Sequence, residues 1–472
     1  MPNEVPQDIA DSLEALRNAI KTEIPYTGGV HTVKPEDLVL YYEVEGGNPP
    51  TRRIDLRNAS ENELQDLANA CQKATFGLNQ ADVLDETYRK AGKMDLDKFA
   101  SRLDILSSGL LAAIKNNILQ GRDDEDRKTL IPELYKLNVY GPGSFFKAHK
   151  DTPRGDDMIG SLVVVFPTAH EGGALTLEHN GTSWTFDSAA EITSANHASS
   201  VAYVAFYSDV THSVETVKSG YRVTLTYNLF LKDEDSTNGE AVQRVTPSHD
   251  PDLLFEKTLR ALLAHPAFLA KGGFLAFGLS HQYPMPSEPK VEWDSEKGSQ
   301  VYPPSRLPAI LKLLKGSDAR IRAVSACLGL ETHVKMLYDS ADWDDYIGND
   351  PFGHDVLADD VLNLNEVWEE GGELQGKVER SGTILERDEE RAKHVREKRG
   401  WDVEPNPEAQ DGKETQKVFV HWVTKLSELN QAASHFIMYG NEASISHFYG
   451  NAALFVQVPA FGAGVRAVVA QE

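Results

Sequence analysis

Between Leu137 and Leu231 the chain consists of short runs rich in Val, Leu, Tyr and Thr, among them SLVVVF, ALTLEH, SVAYVAFY and YRVTLTYNLFL. Each run is bounded by Gly, Asn, Asp or Ser, residues that turn the backbone. β-branched and aromatic residues favour the pleated conformation, and many short strands in succession can bury a shared face only by packing sheet on sheet or closing on themselves. This segment is therefore restricted to an all-β barrel or jelly roll.

The flanks differ in texture. In DIADSLEALRNAI (8–20) apolar residues at 9, 13, 16 and 20 are spaced for one helical face. The run DLVLYYEVEGG (37–47) reads as a strand ending in a glycine turn, and helices are expected over about 60–77 and 96–118. Ser60 and Glu63 form a capping box at the start of the first of these. The polar stretch 232–252 reads as a linker or long loop. Beyond it, helices near 253–264, 306–315 and 318–330, the run GGFLAFGLSHQY and a terminal strand mark mixed α/β structure. Residues 385–400, LERDEERAKHVREKRG, read as a solvated helix. The expected division is an N-terminal helical/β support segment (1–120), a β core (121–232), a linker (233–252) and a C-terminal α/β domain (253–472). In class this is α+β.

Composition narrows the partners. A net charge of −25 repels phosphate backbones and anionic lipids, and no basic patch offsets it, so neither nucleic acid nor membrane is an expected partner. No apolar run approaches the roughly 20 residues of a membrane helix, and an acidic stretch rather than a signal peptide follows Met1, so a cytoplasmic or nuclear location is expected. Cys71 and Cys327, the two cysteines, lie too far apart in sequence to suggest a disulfide framework or a Cys-based zinc site. The oligomeric state is left open.

The chemistry concentrates in two places. In YGPGSFFKAHKD (140–151) a His-x-Asp pair ends a glycine turn followed by alternating residues. Residues i and i+2 of a strand share a face, so His149 and Asp151 make half of a metal site. Two His plus one carboxylate form the facial triad of non-haem Fe(II) oxygenases, which leaves positions open for a cosubstrate and O2. Alone the pair means little in a chain with 15 His and 72 acidic residues. The second place is YSDVTHSVETVKSGYRVTLTYN (207–228), read as a hairpin turning at Lys218-Ser219-Gly220. If Val217 pairs with Tyr221, His212 and Arg222 share a face about 13 Å apart, at roughly 3.3 Å per residue. That gap suits a five-carbon diacid held between a metal and a guanidinium. The competing reading turns Arg222 outward to pair with Glu215.

Together Tyr140-Gly141-Pro142-Gly143, Phe146, His149, Asp151, Gly172-Gly173, His212 and Arg222 resemble the catalytic domain of Fe(II)/2-oxoglutarate-dependent dioxygenases, in their prolyl 4-hydroxylase-like branch. The resemblance spans residues 137–231 and implies a double-stranded β-helix. It implies that His149, Asp151 and His212 hold Fe(II), that Arg222 binds the distal carboxylate of 2-oxoglutarate, and that Tyr140 offers the cosubstrate a hydroxyl. Leu175 is implied to line the cosubstrate pocket, with Thr224 as a further lining residue. The implied reaction consumes O2 and 2-oxoglutarate, with ascorbate in support, and hydroxylates a C–H bond of a prolyl residue in a protein or of a small molecule. Phe146 and Leu175 depart from the Tyr and Thr of some members, which leaves the substrate open. Arg154, in the loop KDTPRGDDM, is the expected substrate-facing lip. The histidines His170, His179 and His197 are read as loop or surface residues. The C-terminal half, through LKGSDA and YGNEAS, resembles a long, uncharacterised fungal-type set of oxygenases, which assigns no chemistry. The alternative function is a catalytically silent β-helix that binds partners.

Overall fold

The structure, a computed structural model, describes residues 6–21, 24–78, 81–119, 128–155, 157–195, 199–233, 250–285, 292–294, 299–301, 305, 307–339, 355–365, 367–369, 373–386, 418–438 and 444–469. Most of the expected linker (233–252), nearly all of the expected charged helix (385–400) and most of YGNEAS lie outside them. The chain is mixed α+β and rich in sheet. It divides into two units, residues 24–241 and residues 1–23 with 242–472.

The two largest sheets of the unit 24–241 are both antiparallel. The larger, of seven strands, runs from edge to edge as Tyr26–Thr32, Ser200–Tyr207, Met158–Val165, Arg222–Asp233, Lys128–Tyr140, Gly92–Met94 and Gln72–Lys73. The smaller, of five, runs Thr182–Phe186, Leu175–His179, Thr211–Val214, Phe145–His149 and Arg89–Lys90. Both contribute to one apolar cluster that includes Val165, Val204 and Phe206 from the larger sheet and Phe146, Leu175, Leu177 and Val214 from the smaller. Two sheets over a shared core fit the jelly-roll expectation.

The hairpin expected at Lys218-Ser219-Gly220 does not form. Thr211–Val214 lies in the smaller sheet, Arg222–Asp233 in the larger, and the intervening Val217–Gly220 pairs with His170–Gly172 instead. At Gly220 a Cβ would stand 2.1 Å from the Ala169 carbonyl oxygen, so this crossing of chains requires glycine there. The glycine read as a turn signal serves a close approach between strands. His212 and Arg222 thus lie on strands of different sheets, not along one hairpin.

Other boundaries shift for identifiable reasons. The Ser60–Glu63 capping box forms, but its helix covers only Glu61–Ala70, because Gln72–Lys73 is drawn into the edge of the larger sheet. Of the helix expected at 96–118 only Leu110–Ile118 is helical, since Phe99–Ser101 pairs with Val39–Glu43 and buries Phe99. Sheet pairing overrides local propensity at both places. Helices Leu307–Ile310 and Gly316–Cys327 occupy part of the ranges expected at 306–315 and 318–330.

In the second unit, strand Gly273–Gly278 pairs with both Val418–Trp422 and Ser444–Val458. That closes a ring completed by Thr383–Glu386, Val356–Ala358 and Thr332–Tyr338. Ala276, Leu337, Leu357, Leu385, Val420, Ala453 and Phe455, drawn from all six strands, form a separate cluster, as expected of a filled barrel interior. Helix Gln7–Lys21 belongs to this unit. Its apolar residues Ile9, Leu13 and Leu16 share a core with Phe255, Leu259 and Leu262 of helix Asp250–Ala264, and Asp8 pairs with His265 at 2.9 Å. The segment 1–120, expected to be one support, is therefore shared between the two units. Among the described residues no helix is long and apolar enough to cross a membrane.

Candidate active site

His149 and His212 are directly opposed on adjacent antiparallel strands, which places both side chains on one face with ring centroids 4.2 Å apart. Asp151 lies just past the end of the first strand. One ligand atom from each of His149, Asp151 and His212 comes within 4.8 Å of the others, a group able to hold a metal ion. Asp151 Oδ1 stands 3.7 Å from His212 Nε2.

The surroundings orient these groups. His149 Nδ1 donates to the Lys147 carbonyl at 2.8 Å and His212 Nδ1 to the Val210 carbonyl at 3.1 Å. A carbonyl can only accept, so each ring carries its proton on Nδ1 and leaves the Nε2 lone pair for a metal. Phe146 stacks on His149 with centroids 3.6 Å apart, and Phe206 lies 4.5 Å from His212. Burial, reinforced by the neighbouring His212, holds the His149 imidazole well below its ordinary range and keeps it neutral. Ser161 Oγ donates to Asp151 Oδ2 at 2.5 Å.

Arg222 lies opposite Tyr140 on the larger sheet, its guanidinium carbon 5.6 Å from the Tyr140 ring centroid. It is 1 % exposed, and its Nε and Nη2 are buried without a hydrogen-bond partner. That burial excludes the surface pairing with Glu215. Residues 222, 224, 226 and 228 alternate onto one face of their strand. Asn228 on that face is the strand partner of Ser161, which bonds Asp151. Arg222 therefore shares a strand face with Asn228, the partner of the serine that holds Asp151. Burying an unpaired charge costs several kcal/mol, and an incoming carboxylate removes that cost. The arrangement fits a cosubstrate acid at Arg222 and a divalent metal at the His/Asp/His group.

Positive-φ glycines shape this end of the site. A Cβ at Gly173 would meet Val217 Cγ2 at 2.8 Å and Arg222 Cδ at 3.1 Å, and φ there is +73°. His170, expected to be a loop or surface residue, instead buries its unpartnered Nε2, and burial with the nearby Arg222 charge holds the ring below its usual range. His197 lies outside the described residues.

Leu175 is 2 % exposed and sits opposite Val214 and Phe186 in the smaller sheet. Thr224 is 1 % exposed, lies opposite Asn138 in the larger sheet and directs Oγ1 to the Asn138 carbonyl at 3.5 Å. Arg154 is exposed, with its guanidinium carbon 4.3 Å from the centroid of the Tyr135 ring and a hydrogen bond to the Tyr135 hydroxyl. Ser161 and Arg89 were not picked out by sequence reasoning. The signal for Ser161 was a single hydroxyl in an otherwise apolar strand. Arg89 carries no such mark.

A two-His, one-carboxylate group is the facial triad of non-haem Fe(II) oxygenases. Residues 135–230 match the family model described as the 2OG-Fe(II) oxygenase superfamily. Over that stretch the chain is similar to the non-haem Fe(II)/2-oxoglutarate-dependent dioxygenases, whose chemistry draws on Fe(II), 2-oxoglutarate and O2, and the His/Asp/His group suits the iron. No curated protein matches the sequence. Similar solved structures include a Pseudomonas putida prolyl-4-hydroxylase, at 19% identity over 47% of this chain and 100% of that one, with a TM-score of 0.27. Another is a Trichoplax adhaerens prolyl hydroxylase in complex with a hypoxia inducible factor peptide fragment, at 14% identity over 48% and 94%, TM-score 0.27. A third is a viral collagen prolyl hydroxylase from Paramecium Bursaria Chlorella virus-1, at 14% identity over 37% and 93%, TM-score 0.20. At these scores the structural likeness carries no weight for the assignment.

Proposed function

We propose that the unit 24–241 hydroxylates a substrate C–H bond, turning 2-oxoglutarate, O2 and R–H into succinate, CO2 and R–OH. His149 and His212, through Nε2, and Asp151 hold the Fe(II). Arg222 receives the distal carboxylate of 2-oxoglutarate in a two-pronged hydrogen bond, with Tyr140 beside it and Leu175 and Thr224 lining the pocket. When bound, the iron and cosubstrate supply oxidative decarboxylation coupled to oxygen insertion into a C–H bond. The chain's own part is to aim both imidazoles through their Nδ1 bonds, to fix Asp151 through Ser161, and to exclude water from the Arg222 end.

The observation that carries this reading is the fully buried guanidinium of Arg222, with Nε and Nη2 lacking partners. The resemblance of the Tyr140-to-Arg222 motif set to the prolyl 4-hydroxylase-like branch favours a prolyl residue of a protein as substrate. Purified protein given Fe(II), ascorbate and 2-oxoglutarate should release succinate slowly without substrate, and His149→Ala should abolish that release. Wild-type protein that takes up no metal would favour the silent binding protein instead.

A further inference from the structure

A second group of cations lies where Lys136 of the larger sheet meets Arg89 of the smaller, and among the described residues no acid is paired with either. Lys136, Asn138 and Tyr140 alternate onto one face of their strand, opposite Thr226, Thr224 and Arg222. Asn138 joins the two strands by donating from Nδ2 to Thr226 Oγ1 at 3.1 Å. Its Oδ1 accepts from Arg89 Nη2 at 2.8 Å, and Arg89 Nη1 donates to the Thr75 carbonyl at 2.6 Å. Arg89 is 6 % exposed, and its Nε is buried without a partner. Its guanidinium lies 4.4 Å from the centroid of Phe146, the ring stacked on His149. One aromatic ring thus separates this cation from an iron ligand.

Lys136 is 8 % exposed. A register shift between Leu134 and Lys136 re-aims Tyr135, whose ring lies 3.9 Å from Lys136 Nζ on centroid distance and 4.3 Å from the Arg154 guanidinium carbon. Among the described residues no carboxylate lies within 4.0 Å of Lys136, Arg89 or Arg154. The acid with most influence on Lys136, Asp95, is itself paired with Lys93 at 3.1 Å. In a chain of net charge −25, two cations nine-tenths buried with no acid between them resemble the situation at Arg222.

We propose that Lys136 and Arg89, with Arg154 at the outer edge, form an anion subsite beside the iron centre that receives a carboxylate of the substrate. This rests on the dioxygenase reading above and adds a substrate class, a molecule carrying a carboxylate near the carbon to be oxidised. Lys136 supplies a point charge, Arg89 the donor left free at Nε, and the aromatic faces of Phe146 and Tyr135 hold both cations in place. Burial and the neighbouring Arg89 hold the Lys136 ammonium down to about 8, a cost that a bound carboxylate reverses.

The test uses the full chain loaded with Zn(II) and saturating 2-oxoglutarate, so that Arg222 is already occupied. The probes are N-acetylglutamate amide and its neutral counterpart, N-acetylglutamine amide, titrated by NMR. Wild type should bind the glutamate probe more tightly by on the order of tenfold, the scale of one charge-assisted hydrogen bond. Lys136→Met should abolish the preference and Lys136→Arg restore it, with Lys136→Gln as a second variant if the Met form melts early. Equal affinities in wild type, or a preference retained in folded Lys136→Met or Lys136→Gln, overturns the proposal. A blocked Ala-Glu-Pro-Ala peptide identifies the source. A gain of roughly tenfold over the single glutamate assigns the carboxylate to an acidic peptide, and no gain assigns it to a small acid. Succinate release by the same protein without substrate keeps the two readings apart. Turnover with no probe preference removes only the subsite, whereas absent turnover removes the dioxygenase reading.

Discussion

Ser161 holds Asp151 from the neighbouring sheet, its Oγ donating to Oδ2 at 2.5 Å while Oδ1 is left toward His212 Nε2. The single carboxylate of the candidate iron site is thus fixed by a hydroxyl on a strand of the larger sheet, although both imidazoles come from the smaller one. Ser161→Ala frees that carboxylate to rotate. The expected loss is about 10–100-fold in metal affinity, the usual effect of removing such a supporting hydrogen bond. A Mn(II) or Fe(II) titration checks it, and unchanged affinity would show that Asp151 is held by other means.

Arg222→Met removes a cation that is buried and unpaired when no cosubstrate is present. The variant should melt no lower than wild type without ligand, while losing the stabilisation that 2-oxoglutarate gives the wild-type protein. Truncating one side of a buried charge pair costs about 2–5 kcal/mol, so KM for 2-oxoglutarate should rise at least about 30-fold. Melting curves with and without 2-oxoglutarate, read beside the kinetics, separate this outcome from simple unfolding.

Gly173→Ala places a methyl group 2.8 Å from Val217 Cγ2 and 3.1 Å from Arg222 Cδ, at a backbone φ of +73°. The strain should lower stability by roughly 1 kcal/mol or more. Displacement of Arg222 should weaken 2-oxoglutarate binding while metal affinity holds. Parallel titrations of both ligands test this, and equal losses in the two would count against it.

Lys136 links stability to alkaline pH. Its folded-state value is pushed down to about 8 from an ordinary 10.5, so the folded chain binds fewer protons than the unfolded chain between those limits. Stability therefore rises with pH across that window. The destabilising cost is fully present below pH 8 and is relieved as pH climbs to 10.5. The effect is at most about 3 kcal/mol by the linkage relation. Urea melts from pH 7 to 10.5 should show this rise in wild type without ligand and lack it in Lys136→Met.

Much of this site was legible along the chain because it is carried by local patterns. The His149-x-Asp151 pair, the Tyr140 turn and the spacing of His212 and Arg222 each occupy a few neighbouring residues. In RVTLTYNLFL the polar residues Arg222, Thr224, Thr226 and Asn228 occupy alternate positions, which is the inner face written out in the sequence. The hairpin reading failed because Gly220 signals a close pass beneath Ala169 as readily as a turn, and spacing alone does not separate the two. Arg89 and Lys136 could not be seen in advance. Arg89 approaches the candidate metal ligands through Phe146 and joins the strand of Lys136 through Asn138, contacts that strand pairing brings together from distant positions. The helix at residues 8–20 was readable from its apolar spacing, but its partner was not, since an amphipathic face does not name what covers it.

That partner has a consequence during synthesis. Helix Gln7–Lys21 leaves the ribosome before the oxygenase unit, yet the helix it packs on begins at Asp250, after that unit. At about 5–20 residues per second the early helix waits on the order of ten to fifty seconds with Ile9, Leu13 and Leu16 uncovered. The inserted oxygenase unit can collapse in that interval, whereas its host cannot close until both sides of the insertion have been made. A slow stretch of translation after residue 250 would therefore lengthen the exposure of that apolar stripe, placing a hazard of misassembly in the unit that carries none of the candidate metal ligands.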